Sequence, residues 1–127
     1  MTPSKSLKSP GPDHPIAIAG NPARVVVTVG GRVLADSRRS LTLTEADYGP
    51  VRYLPREDVD MSRLTRSPHV TWCPYKGECA YFHIHDAGER GVNAVWTYET
   101  PQPAVAEIRD HLAFYPSRVD SIDERSI

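Results

Sequence analysis

Proline is the residue type that most restricts the folds open to this chain. Twelve of the 127 residues are proline, which is about 9% against an average of about 5%. Proline fixes φ and lacks a backbone donor, so it ends helices and central strands. We therefore expect short elements and no long helix. We expect Pro50, Pro55, Pro101 and Pro116 to protect strand ends and sheet edges from unwanted pairing.

The charge balance limits the partners that we expect. The 15 Lys and Arg residues against 16 Asp and Glu residues give a net charge of −1. Nucleic-acid binding through bulk charge needs a concentrated basic face, so we expect no nucleic-acid partner. The hydrophobic share of 39% and the charged share of 24% are typical of one soluble globular domain. Such a chain is expected to be a monomer or a homodimer.

The sequence predicts a cytoplasmic protein without a membrane partner. No apolar run approaches the roughly 18 residues of a membrane-spanning helix. The lysines near the start are not followed by the apolar segment of an export signal. In a reducing compartment the two cysteines, Cys73 and Cys79, are expected to be free thiols.

Short β-branched and alternating segments in the middle of the chain predict strands. Segments 24–29 and 32–36 flank Gly30 and Gly31, a pair that favours a hairpin turn. A second hairpin is predicted between 80–85 and 94–98, across the loop DAGERG. Further strands are predicted at 40–44, 51–54, 70–73 and 113–115.

One short C-terminal helix is predicted at 103–112, because its apolar residues recur at helical spacing after Pro103. Residues 1–14 are interpreted as a disordered N-terminal tail and residues 121–127 as a flexible C-terminal tail. Residues 15–120 are then a single domain of seven to eight short strands and the helix. The predicted fold class is mainly β (α+β) with antiparallel sheets.

Six stretches in order carry a resemblance to a known family: DHPI at 13–16, RVVVTVGGRVLADS at 24–37, RYLPREDV at 52–59, TWCPYKG at 71–77, VWTYETP at 95–101 and AFYPSRVD at 113–120. Together they resemble the bacterial and fungal family of domains of unknown function numbered 427 (DUF427), also labelled nucleotidyltransferase-like. The resemblance implies a β-tent fold, in which two antiparallel sheets meet at an angle around a pocket. This architecture is similar to the thalidomide-binding domain of cereblon and to methionine sulfoxide reductase B. The family has no settled function.

The expected β-tent departs from its zinc-bearing relatives. Those proteins carry two CxxC pairs, whereas this chain has one C-x5-C from Cys73 to Cys79, so no structural zinc is expected. Cys73, Cys79, His83 and His85 are residue types that suit zinc, but the cysteines lie outside the usual spacings. We interpret the histidines as surface or edge residues and expect neither a metal nor a cofactor.

Aromatic residues and one lysine form the predicted ligand site. Trp96 and Tyr98 are two apart on one predicted strand and therefore share a face. If the hairpin forms, Tyr81 could face Trp96 across a pocket, and aromatic walls bind planar or cationic ligands. Lys76, in the CPYKG loop, and Tyr53 would supply polar contacts. An ordinary β core with aromatic fillers is the alternative for these rings.

Three functions are compatible with these residues. The leading hypothesis is a small-molecule-binding domain with an aromatic-lined pocket between the sheets. The alternative is an enzyme that uses Cys73 as nucleophile or redox centre, because the nearby ammonium of Lys76 would lower the pKa of the thiol. A further alternative is a protein-interaction module that uses a sheet edge or the helix at 103–112.

Nucleotidyl transfer has weaker support in the sequence. Glu57, Asp58 and Asp60 provide carboxylates that suit divalent metals, but no Gly-rich phosphate loop accompanies them. We interpret this segment as a turn in which Asp58 caps a short helical piece.

Overall fold

The computed structural model describes residues 7–126. The strands of this range are β1 Ile16–Gly20, β2 Arg24–Val29, β3 Arg32–Ser37, β4 Leu41–Glu45, β5 Val51–Pro55, β6 Leu64–Cys73, β7 Gly77–Ile84, β8 Val95–Thr97, β9 His111–Phe114 and β10 Ser121–Arg125. Short 3-10 segments occupy Arg56–Asp58, Met61–Arg63, His85–Gly91, Pro103–Ile108 and Pro116–Arg118. In the described range, no helix is long and apolar enough to cross a membrane.

Antiparallel pairing joins the strands into two sheets. The larger has the order β1-β4-β5-β9-β8-β7-β6 and the smaller has the order β10-β2-β3. The predicted mainly β class with two antiparallel sheets is confirmed, and the arrangement is consistent with a β-tent. Both predicted hairpins form, β2 with β3 and β7 with β8. Gly30 and Gly31 have φ of 63° and 74°, the left-handed backbone that a two-residue hairpin turn of this type requires.

The helix predicted at 103–112 is present only as a shorter 3-10 segment. Pro103–Ile108 is a 3-10 segment broken at Val105, and residues 111–114 continue as strand β9. Asp110 separates the two with a φ of 58°, a conformation that no helix contains. Three of the four apolar residues at helical spacing, Val105, Ile108 and Leu112, are fully buried, whereas Ala104 is exposed. The chain buries the three through 3-10 turns and strand β9 and not through an α-helix.

Both ends of the described chain contact the body of the fold. Residues 121–125, expected in a flexible tail, instead form β10, which pairs with β2 and places Ile122 opposite Val27. In the expected N-terminal tail, the backbone N–H of Lys8 donates to the carbonyl of Pro74 over 2.7 Å, and the Gln102 amide donates to the carbonyl of Lys8 over 2.7 Å. Residues 1–6 and 127 lie outside the described residues.

The large sheet buries side chains on both of its faces. On one face, Phe82 and Phe114 pack with Val27 of the small sheet. On the other face, Tyr81 and Tyr53 belong to a separate cluster that contains no residue of the small sheet. Successive side chains of a strand point to opposite faces, so one run of sequence serves both clusters.

The large sheet is strongly curved around this second cluster. Strands β4 and β7 are four steps apart in the sheet order, about 19 Å in a flat sheet at about 4.8 Å per strand. Nevertheless Leu43 of β4 and Tyr81 of β7 line the same pocket. The β1-β4-β5 end of the sheet therefore turns over to face the β8-β7-β6 end.

Candidate functional site: an aromatic pocket

A pocket of about 330 Å³ lies on the inner face of the curved large sheet. All five residues predicted to bind a ligand line it: Tyr53, Lys76, Tyr81, Trp96 and Tyr98. Its further lining residues are Leu43, Glu45, Tyr48, Gly49, Val51, Cys79 and Tyr115. We predicted a pocket between the two sheets, but strand alternation places Tyr53, Tyr81 and Tyr98 on the face of the large sheet that points away from the small sheet. Trp96 differs from them, because it also borders residues of the small sheet.

Contacts among the aromatic rings fix the position of Trp96. Its indole Nε1 donates to the hydroxyl of Tyr53 over 3.2 Å, and the two rings meet edge to face with centroids 6.3 Å apart. The ring of Tyr115 lies 4.5 Å from that of Trp96. Tyr81 and Trp96 are direct cross-strand partners, so they stand side by side rather than across the pocket from each other.

Three tyrosine hydroxyls of the pocket, those of Tyr53, Tyr81 and Tyr98, are held in their neutral form. Burial raises the pKa of Tyr53, Tyr81 and Tyr98 above the ordinary value of 10.0, since an apolar environment disfavours the phenolate. The Tyr81 hydroxyl hydrogen-bonds to that of Thr71 at 2.9 Å. Neutral hydroxyls both donate and accept hydrogen bonds, so the walls offer uncharged polar contacts.

Three hydrogen-bonded side chains, Lys76, Glu45 and His14, form a triad at one side of the pocket. The ammonium of Lys76 donates to Oε1 of Glu45, and Oε2 of Glu45 is 2.6 Å from Nε2 of His14. Burial acts to raise the pKa of Glu45, but the hydrogen bonds from Lys76 and His14 outweigh it and leave that pKa below its ordinary value. His14 is also stacked on Tyr75, with ring centroids 3.7 Å apart.

A tight turn directs Lys76 into the pocket. The backbone N–H of Lys76 donates to the carbonyl of Cys73 over 3.2 Å, and Gly77 follows with a φ of 110°. Few side chains tolerate that conformation. Lys76 is only 8% exposed, and its ammonium lies 5.9 Å from the ring centre of Tyr98. The lysine is therefore a pocket residue and not a solvated loop charge.

The geometry does not favour Lys76 as an activator of Cys73. Within residues 7–126, the ion pair of the Lys76 ammonium is with Glu45, and no hydrogen bond joins that ammonium to the Cys73 thiol. Cys73 is half-buried and Cys79 is buried, and both are free thiols. Cys79, and not Cys73, lines the pocket.

The residue types that suit zinc, among them Cys79, His83 and His85, make separate contacts in the structure. Cys79 belongs to the aromatic cluster, Nδ1 of His83 accepts the backbone N–H of Asn93 at 3.0 Å, and His85 begins a 3-10 segment. In the described part of the chain, no three His, Cys, Asp or Glu side chains are grouped to hold a metal ion.

The carboxylates of 57–60 are occupied by structural contacts. Asp58 accepts from the Ser37 hydroxyl at 2.7 Å. Asp60, rather than Asp58, caps a 3-10 segment by accepting the backbone N–H of Ser62. Asp58 is thus held against β3, and Asp60 stabilises the start of a 3-10 segment.

Sequence reasoning missed Glu45 as a pocket residue. In LTLTE the even spacing puts Leu41, Leu43 and Glu45 on one face of β4. A carboxylate that continues an apolar face is a signal that a buried partner exists. The partner, Lys76, could not be identified without the pairing of distant strands. Tyr48, 68% exposed, lines the pocket from a loop, where the alternation rule gives no prediction. Tyr115, 39% exposed, was expected to end a strand at 113–115 but follows the end of β9.

Comparison with known protein families identifies the family of this chain. The family model described as a domain of unknown function (DUF427) matches residues 17–125. The chain therefore belongs to the DUF427 family. No curated protein matches it.

Proposed function

We propose that this protein binds an uncharged, planar small molecule in the aromatic pocket. The observation that carries the proposal is the ion pair of Lys76 with Glu45 inside an otherwise aromatic and aliphatic lining. The two charges neutralise each other. A ligand with a net charge would therefore be attracted by one member of the pair and repelled by the other.

The walls are suited to a flat ring that carries hydrogen-bonding groups. Trp96, Tyr98 and Tyr115 line the pocket, and aromatic rings stack on planar groups. The neutral hydroxyls of Tyr53 and Tyr98 lie at the same pocket, and a few placed polar groups among apolar ones are typical of ligand sites. The volume of about 330 Å³ fits a small ligand.

The protein is proposed to bind its ligand in a reducing compartment. Cys73 and Cys79 are free thiols, as in cytoplasmic proteins, and a net charge of −1 does not favour binding of nucleic acid through bulk positive charge. The proposed partner is thus a cytoplasmic metabolite-sized molecule, bound by a monomer or a homodimer.

Native mass spectrometry of protein purified gently from its source cells tests the proposal. We expect a mass excess that denaturation removes and that the Trp96→Leu variant lacks. Trp72→Leu is the matched control, because the second tryptophan of the chain does not line this pocket. An excess that Trp96→Leu keeps, or one that is a metal ion or an anion, would contradict the proposal.

A further inference from the structure

The segment before strand β1 brings His14 to the side of the aromatic pocket that holds the ion pair. The backbone of Lys8 is hydrogen-bonded to the carbonyl of Pro74 and to the side chain of Gln102, which attaches this segment to the body of the fold. His14 itself does not line the pocket, but it contacts Glu45, which does. His14 is therefore a residue behind the pocket wall, separated from a ligand by one carboxylate.

The contact with Glu45 fixes where His14 gains a proton. Nε2 of His14 is 2.6 Å from Oε2 of Glu45. Burial acts to raise the pKa of Glu45, but the hydrogen bonds from Lys76 and His14 leave it below its ordinary value, so Glu45 is a carboxylate near neutral pH. A carboxylate oxygen only accepts, so Nε2 carries a hydrogen in both charge states of the ring, and an added proton binds Nδ1. The His14 side chain is 22% exposed, so solvent can supply that proton without breaking the hydrogen bond to Glu45.

The net charge at this side of the pocket depends on the protonation of His14. The charged and titratable side chains on the elements that contact His14 are Lys8, Asp13, Glu45, Tyr75 and Lys76. Lys8 and Asp13 are exposed, so solvent and salt screen their charges. Histidine is the residue type at this place that changes charge near neutral pH. Lys76, Glu45 and His14 together therefore carry no net charge when the imidazole is neutral and one positive charge when it is protonated.

We propose that His14 sets the charge preference of the aromatic pocket: a neutral imidazole leaves the pocket selective for uncharged ligands, and a protonated imidazole weakens its discrimination against anions. The inference rests on the proposed function, because it concerns ligands of the same pocket. At the separations of neighbouring side chains, a unit charge changes the binding of another charge severalfold. Planar carboxylates are the ligand class that gains affinity, and planar cations are the class that loses it.

The affinities of benzoate, benzamidinium and benzamide between pH 8.5 and 5.5 test the inference, because each probe keeps its charge over this range. The NMR signal of the Trp96 indole N–H, which donates to Tyr53 inside the pocket, reports binding. As the pH falls, we expect the affinity for benzoate to rise about three- to tenfold and that for benzamidinium to fall by a similar factor, while the affinity for benzamide stays constant. A change of fold would move all three affinities together. Slopes of the same sign for the two ions, or no slope for either, would overturn the proposal.

Histidine variants identify the group that titrates. His14→Gln keeps an N–H donor for Glu45 but takes up no proton near neutral pH, so we expect both slopes to vanish while benzamide still binds. His69→Gln is the matched control, because the ring of His69 lies 4.7 Å from that of Tyr81, another lining residue of the pocket, and this variant should keep both slopes. Slopes that survive His14→Gln, or that vanish with His69→Gln, would overturn the proposal.

A measurement on the wild-type protein covers the case in which His14→Gln does not fold. Coupling between two bound species is reciprocal, so saturating benzoate should move the titration of the His14 imidazole NMR signal to higher pH and benzamidinium should move it to lower pH. Benzamide should leave the titration in place. No movement with either ion would overturn the proposal. Binding of benzamide without these effects overturns this inference alone, whereas failure of all three probes to bind at any pH overturns the proposed function as well.

Discussion

The ammonium of Lys76 and the carboxylate of Glu45, 31 positions apart in the chain, form an ion pair inside the aromatic pocket. Glu45 ends strand β4, and Lys76 lies in the turn before β7. The contact exists only because the large sheet curves until these strands meet. The pair closes the curved sheet and places one cation and one anion in contact inside the pocket.

A double-mutant cycle measures the strength of this pair. The side chains of Lys76 and Glu45 are only 9% and 13% exposed, and removal of one partner of a buried pair leaves an uncompensated charge. We expect Lys76→Met alone to lower the free energy of unfolding by about 3 kcal/mol. The double variant Lys76→Met, Glu45→Gln should lose less free energy of unfolding than the two single variants lose together. Additive losses in urea unfolding would show that the two side chains do not interact.

Acid should lower the free energy of unfolding of the wild-type protein more than that of a variant without Glu45. The pKa of Glu45 is lowered in the folded protein. Such a carboxylate contributes stability above its unfolded pKa of about 4.3, and this contribution is lost as the pH falls through the folded pKa. Urea unfolding between pH 6 and 3 should therefore show the stability difference between wild type and Glu45→Gln narrowing toward low pH. A stability difference that stays constant or widens toward low pH would contradict the lowered pKa of Glu45.

Cys79 should be an unreactive thiol. Burial raises its pKa, against hydrogen bonds with the hydroxyls of Tyr81 and Tyr98, and only the thiolate reacts quickly. In a Cys73→Ser background at pH 8, we expect iodoacetamide to modify Cys79 roughly tenfold more slowly in the folded protein than in urea. Equal rates would mean that the thiol is open to solvent.

Strand β10 should be part of the stable fold. It pairs with β2 over five residue pairs, and Ile122 packs against the main core. Deletion of residues 121–127 should lower the free energy of unfolding by at least about 2 kcal/mol, since burial of one large aliphatic side chain is worth that much. Deletion of residues 126–127 alone is the control and should have little effect. Equal stability of the two truncated proteins would refute the structural role of β10.

Much of the fold was predictable because local signals agreed with it. Gly30 and Gly31 marked one hairpin, and the alternation of Tyr81, Trp96 and Tyr98 identified residues of one pocket. The position of that pocket was not predictable. It depends on which face of the large sheet meets the small sheet, and in β7 both faces are apolar, so alternation alone could not decide.

The two predictions that were wrong near the C-terminal end, the flexible tail and the long helix, have a related cause. The polar composition of 121–125 resembles a tail, but pairing with the buried strand β2 satisfies its backbone, and one apolar residue, Ile122, anchors it. At 103–112 the apolar spacing fits a helix, yet Asp110 in the left-handed region ends the segment and starts β9. In both places contacts with distant strands outweigh local preference.

The central claim, that the aromatic pocket binds an uncharged planar ligand, is tested most directly by a titration with three probes of one shape. Benzamide is neutral, benzoate is an anion and benzamidinium is a cation. The reporter is the NMR signal of the Trp96 indole N–H, which donates to Tyr53 inside the pocket, and the Trp96→Leu variant assigns it. We predict a saturable shift with benzamide at lower concentration than with either ion. Tighter binding of benzoate or benzamidinium, or no saturable shift with any probe, would contradict the account.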